Sequence, residues 1–146
     1  MRVLILGGSG FIGPRIPAAL ERLGHEGLIV SRSSKLSADR NDPASVARLA
    51  ERERCDALID VIALEPRSTL ALRGALRERI GRYVLISSAD VYRNYGGLHR
   101  IETPEPIAML TEDSPRRTVL YPYRKTPPRA PDDPQAWMDT YDKIPI

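Results

Sequence analysis

The segment LILGGSGFIG near the start of the chain restricts the fold more than any other stretch. Gly7, Gly10 and Gly13 follow the apolar run RVLIL, which is typical of a strand buried on both faces. After the glycines, apolar residues recur at helical spacing until Gly24. A glycine triplet between a strand and a helix therefore predicts a tight turn whose glycines serve its geometry or the approach of a ligand.

Each glycine of this turn has a physical role in binding a dinucleotide. The first permits a sharp bend, the second lets a pyrophosphate approach the backbone, and the third lets the helix pack against the strand. The start of the helix adds free N–H groups and the positive end of its dipole. We therefore predict that the turn binds the cofactor, through Gly7, Gly10, Phe11, Ile12 and Gly13.

Apolar runs and helical patterns alternate along the first 95 residues. Strands are predicted at 2–6, 27–30, 55–63 and 82–88, with a weak one near 35–38. Helices are predicted from the glycine turn to Gly24 and at 43–53 and 66–80. Pro17 should make the first helix kinked or irregular at its start. This alternation predicts an α/β fold, a Rossmann-like doubly wound parallel sheet with helices on both faces.

The composition changes after about residue 93. Nine of the 13 prolines lie between Pro104 and Pro145, so this region suits neither a helix interior nor a central strand. Only residues 135–144 have the pattern of another helix start. We therefore divide the chain into a dinucleotide-binding core, 1–95, and a proline-rich excursion, 96–146, that leads into the start of an active-site helix.

The end of the second predicted strand indicates which dinucleotide is preferred. A carboxylate there would bind the ribose 2′-hydroxyl of NAD, whereas this segment reads SRSSK. The guanidinium of Arg32 and the hydroxyls of Ser31 and Ser33 suit a 2′-phosphate, with Lys35 nearby. The sequence predicts a preference for NADP(H) over NAD(H), and the alternative is that Arg32 is an exposed charge or only stacks on the adenine.

Composition excludes several other classes of protein. A net charge of +3 is too small to indicate nucleic-acid binding, and no apolar run is long enough to span a membrane. The lone Cys55 cannot form an internal disulfide, which fits a reducing cytoplasm, and its position predicts a small core residue. We predict a cytoplasmic protein without a metal site.

Four stretches together make the chain resemble the extended short-chain dehydrogenase/reductase family, of the NAD-dependent epimerase/dehydratase type. They are GGSGFIG, ADRND at 38–42, DVIA at 60–63 and YVLISSADVY at 83–92. The resemblance covers about residues 1–95. It implies that Asp39 contacts the adenine and that further cofactor contacts come from Arg40, Ile62, Ala63 and Ser87.

The resemblance also implies a set of catalytic residues. In the family signature, the serine four positions before a tyrosine binds the reacting oxygen, which here is Ser88 before Tyr92. The family's acid/base pair is Y-x-x-x-K on one helix face. Tyr141 and Lys143 lie where this helix is expected but are only two apart, and Asp139 stands four before Lys143.

A second pair has the literal spacing of the family motif. Tyr121 and Lys125 are four residues apart, although Pro122 and the prolines that follow Lys125 disfavour a continuous helix. Both pairs, Tyr141 with Lys143 and Tyr121 with Lys125, therefore stay as alternatives for the acid/base pair.

The resemblance predicts an NAD(P)-binding domain of an oxidoreductase of the epimerase, dehydratase or reductase type, acting on a nucleotide sugar or a similar alcohol or carbonyl. The alternative is a non-catalytic dinucleotide-binding or sensing module. The family usually runs to about twice this length, so the chain is expected to be truncated before the substrate domain, interrupted, or a stand-alone domain. Helix 66–80 offers a surface for a homodimer, as in the family.

Overall fold

The computed structural model describes residues 1–31, 34–106 and 109–146, and these residues form two compact units. The first unit comprises residues 1–63 and 67–86, and the second comprises residues 64–66 and 87–146.

The first unit is built on a parallel sheet of four strands. They are β1 (Arg2–Leu6), β2 (Glu26–Val30), β3 (Ala57–Asp60) and β4 (Arg82–Leu85), in the order β2-β1-β3-β4. The chain leaves β1 toward β2 and then crosses back to β3, which makes a topological switch point between β1 and β3. The predicted Rossmann-like sheet is confirmed, and the weak strand near 35–38 is reduced to one parallel bridge between Val30 and Leu36.

Three helices connect the strands: α1 (Arg15–Arg22), α2 (Pro43–Arg52) and α3 (Pro66–Leu76). The Asp42 side chain begins α2 by accepting hydrogen bonds from the N–H groups of Ala44 and Ser45, both at 3.1 Å. Pro17 is the third residue of α1, where its missing N–H would have no partner within the helix.

The core of the first unit lies between the sheet and its helices. Leu4 and Leu58, from the two central strands, are completely buried, as is Val46 from α2. Cys55 is buried in the same cluster, and this burial raises the pKa of its thiol, which keeps it protonated and unreactive.

The second unit has little regular structure. Its described residues form one short helix, α4 (Arg93–Leu98), two 3-10 turns at Ala89–Val91 and Ala136–Asp139, and an antiparallel bridge between Tyr92 and Arg116. No helix of the described residues is long and apolar enough to cross a membrane.

Residues 140–146 are irregular, so the helix start expected at 135–144 extends no further than a 3-10 turn. The Asp142 carboxylate accepts a hydrogen bond from the N–H of Ile144 at 3.0 Å, a local bond that competes with helix formation. Pro145 then disfavours a helical conformation at Ile144 and supplies no N–H.

Candidate functional site

Two of the three glycines of the turn are required by the protein's own geometry. Gly7 follows β1 with a φ of +79°, and a Cβ there would lie 2.5 Å from Cγ2 of Ile62. A Cβ on Gly13 would lie 2.5 Å from the carbonyl carbon of Gly8, which is backbone and cannot move aside cheaply. These two glycines therefore fix the tight turn and the close approach of the helix start.

Gly10 differs, because neither its backbone nor its neighbours require a glycine. Its φ is outside the left-handed region, and the nearest atom to a Cβ would be the Gly7 carbonyl oxygen, at an ordinary 3.5 Å. The space beside Gly10 is therefore open to a group from outside the chain. The predicted approach of a pyrophosphate to the backbone at Gly10 stays a prediction, for which this space leaves room.

The entry to α1 limits which N–H groups can bind an anion. Arg15 and Ile16 donate their N–H groups to the carbonyls of Ile12 and Gly13, both at 3.1 Å, and prolines occupy positions 14 and 17. Within the described residues, the N–H groups of Phe11 and Ile12 have no backbone acceptor. Both side chains are exposed, so the turn itself, rather than the first turn of α1, offers donors to a ligand.

Strand register brings the end of β2 to the same edge as the glycine turn. Leu6 pairs with both Val30 and Asp60, so the residues that follow these three strands leave the sheet side by side. The Gly7 N–H donates to the Val30 carbonyl at 3.2 Å. Ser31 follows and is held by its N–H bond to the Ser34 hydroxyl at 2.7 Å. The predicted 2′-phosphate contacts Arg32 and Ser33 lie outside the described residues.

The acidic motif after β2 places two predicted contacts in different environments. Asp39 is exposed, and its carboxylate accepts a hydrogen bond from the Asn41 N–H at 2.9 Å. Arg40 is buried and directs its guanidinium to the Asp60 carboxylate, with Nη2 to Oδ2 at 2.8 Å. Asp39 is therefore accessible to a ligand, whereas the Arg40 guanidinium already has partners inside the protein.

The ion pair of Arg40 and Asp60 is part of a buried polar network. The Arg40 guanidinium also donates to Ser68 at 2.8 Å and to Thr69 at 2.7 Å, and the Tyr83 hydroxyl donates to Asp60 at 2.6 Å. Burial, together with this bond to Asp60, raises the pKa of Tyr83. The network ties the segment before α2 to β3, β4 and α3.

Ile62 and Ala63, the predicted contacts after β3, also belong to the first unit. Ile62 packs against Gly7, as described above, and its side chain is 39% exposed, so it can also touch a ligand at this edge. Ala63 is completely buried, which leaves no accessible surface on its side chain.

In the second unit, the polar side chains of Ser88, Asp90 and Tyr141 lie close together. The phenol of Tyr141 lies close enough to the Ser88 hydroxyl and the Asp90 carboxylate for both groups to affect its pKa. The Ser88 oxygen also accepts a bond from the Asp90 N–H at 3.3 Å, which caps the 3-10 turn Ala89–Val91. Ser87 is exposed. Ser88 and Tyr141, 53 residues apart by their numbers, are thus brought together.

The surroundings of Tyr141 favour its neutral phenol. Burial raises its pKa most, the bond with Ser88 opposes this rise, and the Asp90 carboxylate adds to it. Its ring packs between Tyr123 and Trp137, with centroids 5.6 and 5.7 Å away. Tyr141 is therefore oriented by the packing of its ring on two sides.

Neither candidate pair has the helical geometry of Y-x-x-x-K. Lys143 is buried and only two residues from Tyr141 in an irregular segment. Tyr121 and Lys125 also lie outside any helix, and Tyr121 has a φ of +52°. The Lys125 N–H donates to the Asp139 carboxylate at 3.0 Å, and the Arg124 guanidinium lies 4.0 Å from the Tyr121 ring centroid.

The carboxylate next to Tyr141 fixes this segment in place. Asp142 accepts hydrogen bonds from Arg117 Nη2 at 2.7 Å and from the Tyr121 N–H at 2.6 Å. Burial opposes the charge of Asp142, but these bonds and the positive charge of Arg117 outweigh it and lower its pKa. Arg117 Nε donates in turn to the Asp90 carbonyl at 2.7 Å, so one guanidinium connects the 3-10 turn with the Tyr141 segment.

Sequence reasoning missed Asp90, Arg117 and Asp142 as parts of this cluster. Asp90 lies inside the quoted signature YVLISSADVY and was passed over because the family resemblance assigns a role only to its serine and tyrosine. Arg117 and Asp142 have no local pattern, since their partners are distant in the chain.

A comparison with protein families gives a match over most of the first unit. The profile of the NAD dependent epimerase/dehydratase family matches residues 3–72, from β1 into α3. Residues 3–72, just under half of the 146 residues, are thus similar to members of this family. The match includes the glycine turn, ADRND at 38–42 and DVIA at 60–63, which are three of the four stretches that carry the sequence-based resemblance. The fourth, YVLISSADVY at 83–92, lies outside the matched residues.

Solved structures of sugar-nucleotide epimerases share the fold. A UDP-glucose-4-epimerase from Stenotrophomonas maltophila, solved with NAD and formylated UDP-arabinopyranose, is 23% identical, with a TM-score of 0.64. A UDP-glucose 4-epimerase from Bifidobacterium longum, in complex with NAD+ and UDP, is 19% identical, with a TM-score of 0.63. A UDP-N-acetylglucosamine 4-epimerase from Bacillus cereus is 17% identical, with a TM-score of 0.62.

These similarities cover most of this chain but less than half of each epimerase. They cover 82%, 84% and 80% of this chain, and 43%, 44% and 47% of the three epimerases in the same order. No match was found among curated proteins. At these identities, the structures establish the fold, and the activity of the chain is a separate question.

Proposed function

We propose that this chain is the N-terminal, cofactor-binding part of an NAD(P)-dependent oxidoreductase of the epimerase, dehydratase or reductase type. Its substrate would be a nucleotide sugar or a similar alcohol or carbonyl compound. The observation that carries the proposal is the glycine turn, in which Gly10 is required by nothing inside the protein. The family match and the NAD found in two of the epimerases support a nicotinamide dinucleotide as the ligand.

The residues that would hold the cofactor lie at one edge of the first unit. The turn would bind the pyrophosphate through the N–H groups of Phe11 and Ile12, with Gly10 allowing close contact. Asp39, exposed after β2, would reach the adenine, and Ile62 would pack against the cofactor. When bound, the dinucleotide supplies the acceptor or donor of the hydride.

A preference for NADP(H) is part of the proposal. The segment after β2 has no carboxylate to bind a ribose 2′-hydroxyl, and it offers Arg32 and three serine hydroxyls. Ser31 lies directly after Val30, at the sheet edge that also bears the glycine turn. A 2′-phosphate would find a cation and hydroxyl donors there.

The chemical step would use the cluster in the second unit. The Ser88 hydroxyl can donate a hydrogen bond to a substrate oxygen, and Tyr141 can deliver or accept the proton of that oxygen. Because the pKa of Tyr141 is raised, the phenol is suited to donate a proton first, which is the direction of carbonyl reduction.

A second candidate is a dinucleotide-binding module that does no chemistry. It is favoured by the absence of helical Y-x-x-x-K geometry at both candidate pairs. It predicts cofactor binding equal to that of the enzyme, but no turnover that depends on Ser88 or Tyr141.

Two measurements separate these functions. Fluorescence titration with NADPH and with NADH tests the cofactor site, and Arg32→Ala tests the 2′-phosphate contact. We expect NADPH to bind more tightly than NADH, and we expect Arg32→Ala to remove this difference while NADH binding is unchanged. Equal affinities for both cofactors in the wild type would refute the preference.

Incubation with oxidised cofactor and UDP-hexoses, followed by chromatography, tests catalysis. Product that disappears in Ser88→Ala indicates the enzyme, and its absence from a chain that binds cofactor indicates the module.

A further inference from the structure

A groove lies beside the C-terminal end of α3 and the start of β4, the last strand in the order of the sheet. Its volume is about 480 Å³, which is within the range of small-molecule sites in proteins. The residues that line it all belong to the first unit: Leu70, Arg73, Gly74, Leu76, Arg77, Ile80, Gly81, Arg82 and Tyr83. The groove is therefore formed within one compact unit.

The groove is separate from the proposed dinucleotide site. Arg82 is the first residue of β4 and pairs with Ala57, the first residue of β3. The glycine turn instead follows Leu6, the last residue of β1. Because the strands are parallel, the groove lies where they begin and the glycine turn lies where they end.

Three arginines of the groove have no carboxylate partner. Among the residues that the structure describes, the side chains of Arg73, Arg77 and Arg82 form no ion pair, whereas exposed Arg79 pairs with Glu51 at 2.9 Å. The dipole of α3 favours a cation at Arg73, in its last turn, but does not explain Arg82 on β4. Guanidiniums that share a groove without carboxylates are suited to bind an oxyanion from outside the chain.

Gly74 lines the same groove from the last turn of α3. Its φ is not positive, so it does not form the left-handed cap that glycines often provide at helix ends. In a helix, glycine is less favourable than alanine, because its unfolded backbone has more freedom to lose. Nothing in the described part of the chain lies within 4 Å of a Cβ built on Gly74. Gly74 thus leaves room for a molecule to approach the helix backbone closely.

Apolar side chains also line the groove. Leu70, one helical turn before Gly74 on the same face, is 50% exposed. The Tyr83 hydroxyl donates to the buried Asp60 at 2.6 Å, which fixes the Tyr83 side chain at the groove. A ligand that fits therefore has an apolar part as well as an anionic part.

We propose that this groove binds a small organic anion. Its oxyanion group contacts the guanidiniums of Arg73, Arg77 and Arg82. Its apolar body covers Leu70 and lies against Gly74. Carboxylates and phosphates share the required chemistry, since both accept paired hydrogen bonds from a guanidinium. A second copy of the chain is a poorer occupant, because α3 has no acidic residue and would set arginines against arginines.

NMR spectra of the backbone amides of the isotope-labelled chain locate the bound molecule without requiring turnover or a cofactor. Phenyl phosphate and phthalate present the two kinds of oxyanion on the same apolar ring, and benzyl alcohol is the uncharged control. We expect saturable shifts of the Gly74 and Gly81 signals with at least one anion, and the tighter binder identifies the preferred oxyanion.

Three results of this titration overturn the proposal. The first is no saturable shift at Gly74 or Gly81 with either anion. The second is binding of benzyl alcohol as tight as that of the anions, which would mean that the arginines contribute nothing. The third is a shift confined to Gly10, which would assign the anion to the glycine turn.

Substitutions test the residues that carry the proposal. Arg77→Gln should lower the affinity for the bound anion by at least about tenfold, through loss of a charge-assisted hydrogen bond. Arg67→Gln is the matched control, because Arg67 is exposed on the same helix but does not line the groove. Gly74→Ala should also weaken binding, while thermal denaturation shows an unchanged or higher midpoint, since alanine favours the helix. Wild-type affinity in Arg77→Gln or in Gly74→Ala overturns the site, as does an equal loss in Arg67→Gln.

Discussion

Arg117 and Asp142 form an ion pair in which Nη2 lies 2.7 Å from Oδ1 and the two side chains are 1% and 0% exposed. The pair fixes the residue next to Tyr141 to a segment within the proline-rich excursion. Asp142 also accepts from two backbone N–H groups, so its charge is compensated by three donors. The position of Tyr141 thus depends on a contact between residues 25 apart.

Removing one member of this pair should destabilise the second unit. Arg117→Leu leaves the buried Asp142 charge without its cation, at a cost of about 3–5 kcal/mol. Urea denaturation followed by Trp137 fluorescence measures this loss, since Trp137 is the only tryptophan and packs on Tyr141. Arg79→Leu, which breaks the exposed pair with Glu51, is the control and should cost no more than about 1 kcal/mol. Equal effects of the two variants would contradict the assignment.

The second unit should lose stability in acid. The pKa of Asp142 is lowered in the folded state because its bonds with Arg117 and with backbone N–H groups outweigh the cost of burial. A lowered pKa gives stability that is complete above the unfolded value, about 3.9, and that is lost as pH falls through the folded value. Hydrogen bonds from the N–H groups of Arg129 and Lys125 lower the pKa of Asp139 in the same direction.

Measuring the urea midpoint between about pH 7 and pH 3 tests this linkage. We expect a fall below about pH 4 in the wild type. The fall should be shallower in Asp142→Asn, which is less stable at pH 7 but has one fewer group to titrate. A midpoint in Asp142→Asn that changes with pH as steeply as in the wild type would refute the role of this carboxylate.

Two glycine substitutions should separate folding from binding at the turn. In Gly10→Ala, the new methyl group meets only ordinary contacts, so stability should change little while NADPH affinity falls by at least about tenfold. In Gly13→Ala, the methyl group collides with the Gly8 backbone, so the first unit should lose about 1–3 kcal/mol. Thermal denaturation and NADPH titration of both variants give the comparison. Retained affinity in Gly10→Ala would mean that no ligand approaches there.

The Arg40–Asp60 pair should behave as a structural element of the first unit. Arg40→Met leaves Asp60 buried with only hydroxyl and N–H donors, which should cost about 3–5 kcal/mol. The double variant Arg40→Met with Asp60→Leu should recover much of this loss, because no buried charge remains unpaired. Circular dichroism during urea denaturation measures both. Arg40→Met that keeps full stability but loses dinucleotide affinity would instead support the predicted cofactor contact.

Much of the first unit could be predicted because its signals are local. The run RVLIL, the glycine spacing and the Asp42–Pro43 helix start each depend on neighbouring residues, and the structure places β1 at Arg2–Leu6 and α2 at Pro43–Arg52. Parallel pairing then follows from the alternation of strands and helices. Arg40 was different, because its burial against Asp60 depends on a residue 20 positions away.

The second unit was predicted less well because its order comes from long-range polar contacts. A helix was expected over the segment that contains Tyr141, but the Asp142 carboxylate binds the N–H groups of Tyr121 and Ile144 and leaves the segment irregular. No periodic pattern in the sequence predicts such bonds. The prolines of this region indicate only that regular helices and strands are disfavoured there.

The sequence by itself determined the α/β class, the glycine turn between β1 and α1 and the absence of a carboxylate after β2, since each is a property of consecutive residues. Only the tertiary structure decided that Ser88 and Asp90 lie near Tyr141, and that Arg117 joins the Asp90 carbonyl to the Asp142 carboxylate. The physical reason is distance along the chain. Local patterns specify elements, whereas a cluster of side chains exists only after folding has brought remote residues within hydrogen-bonding reach.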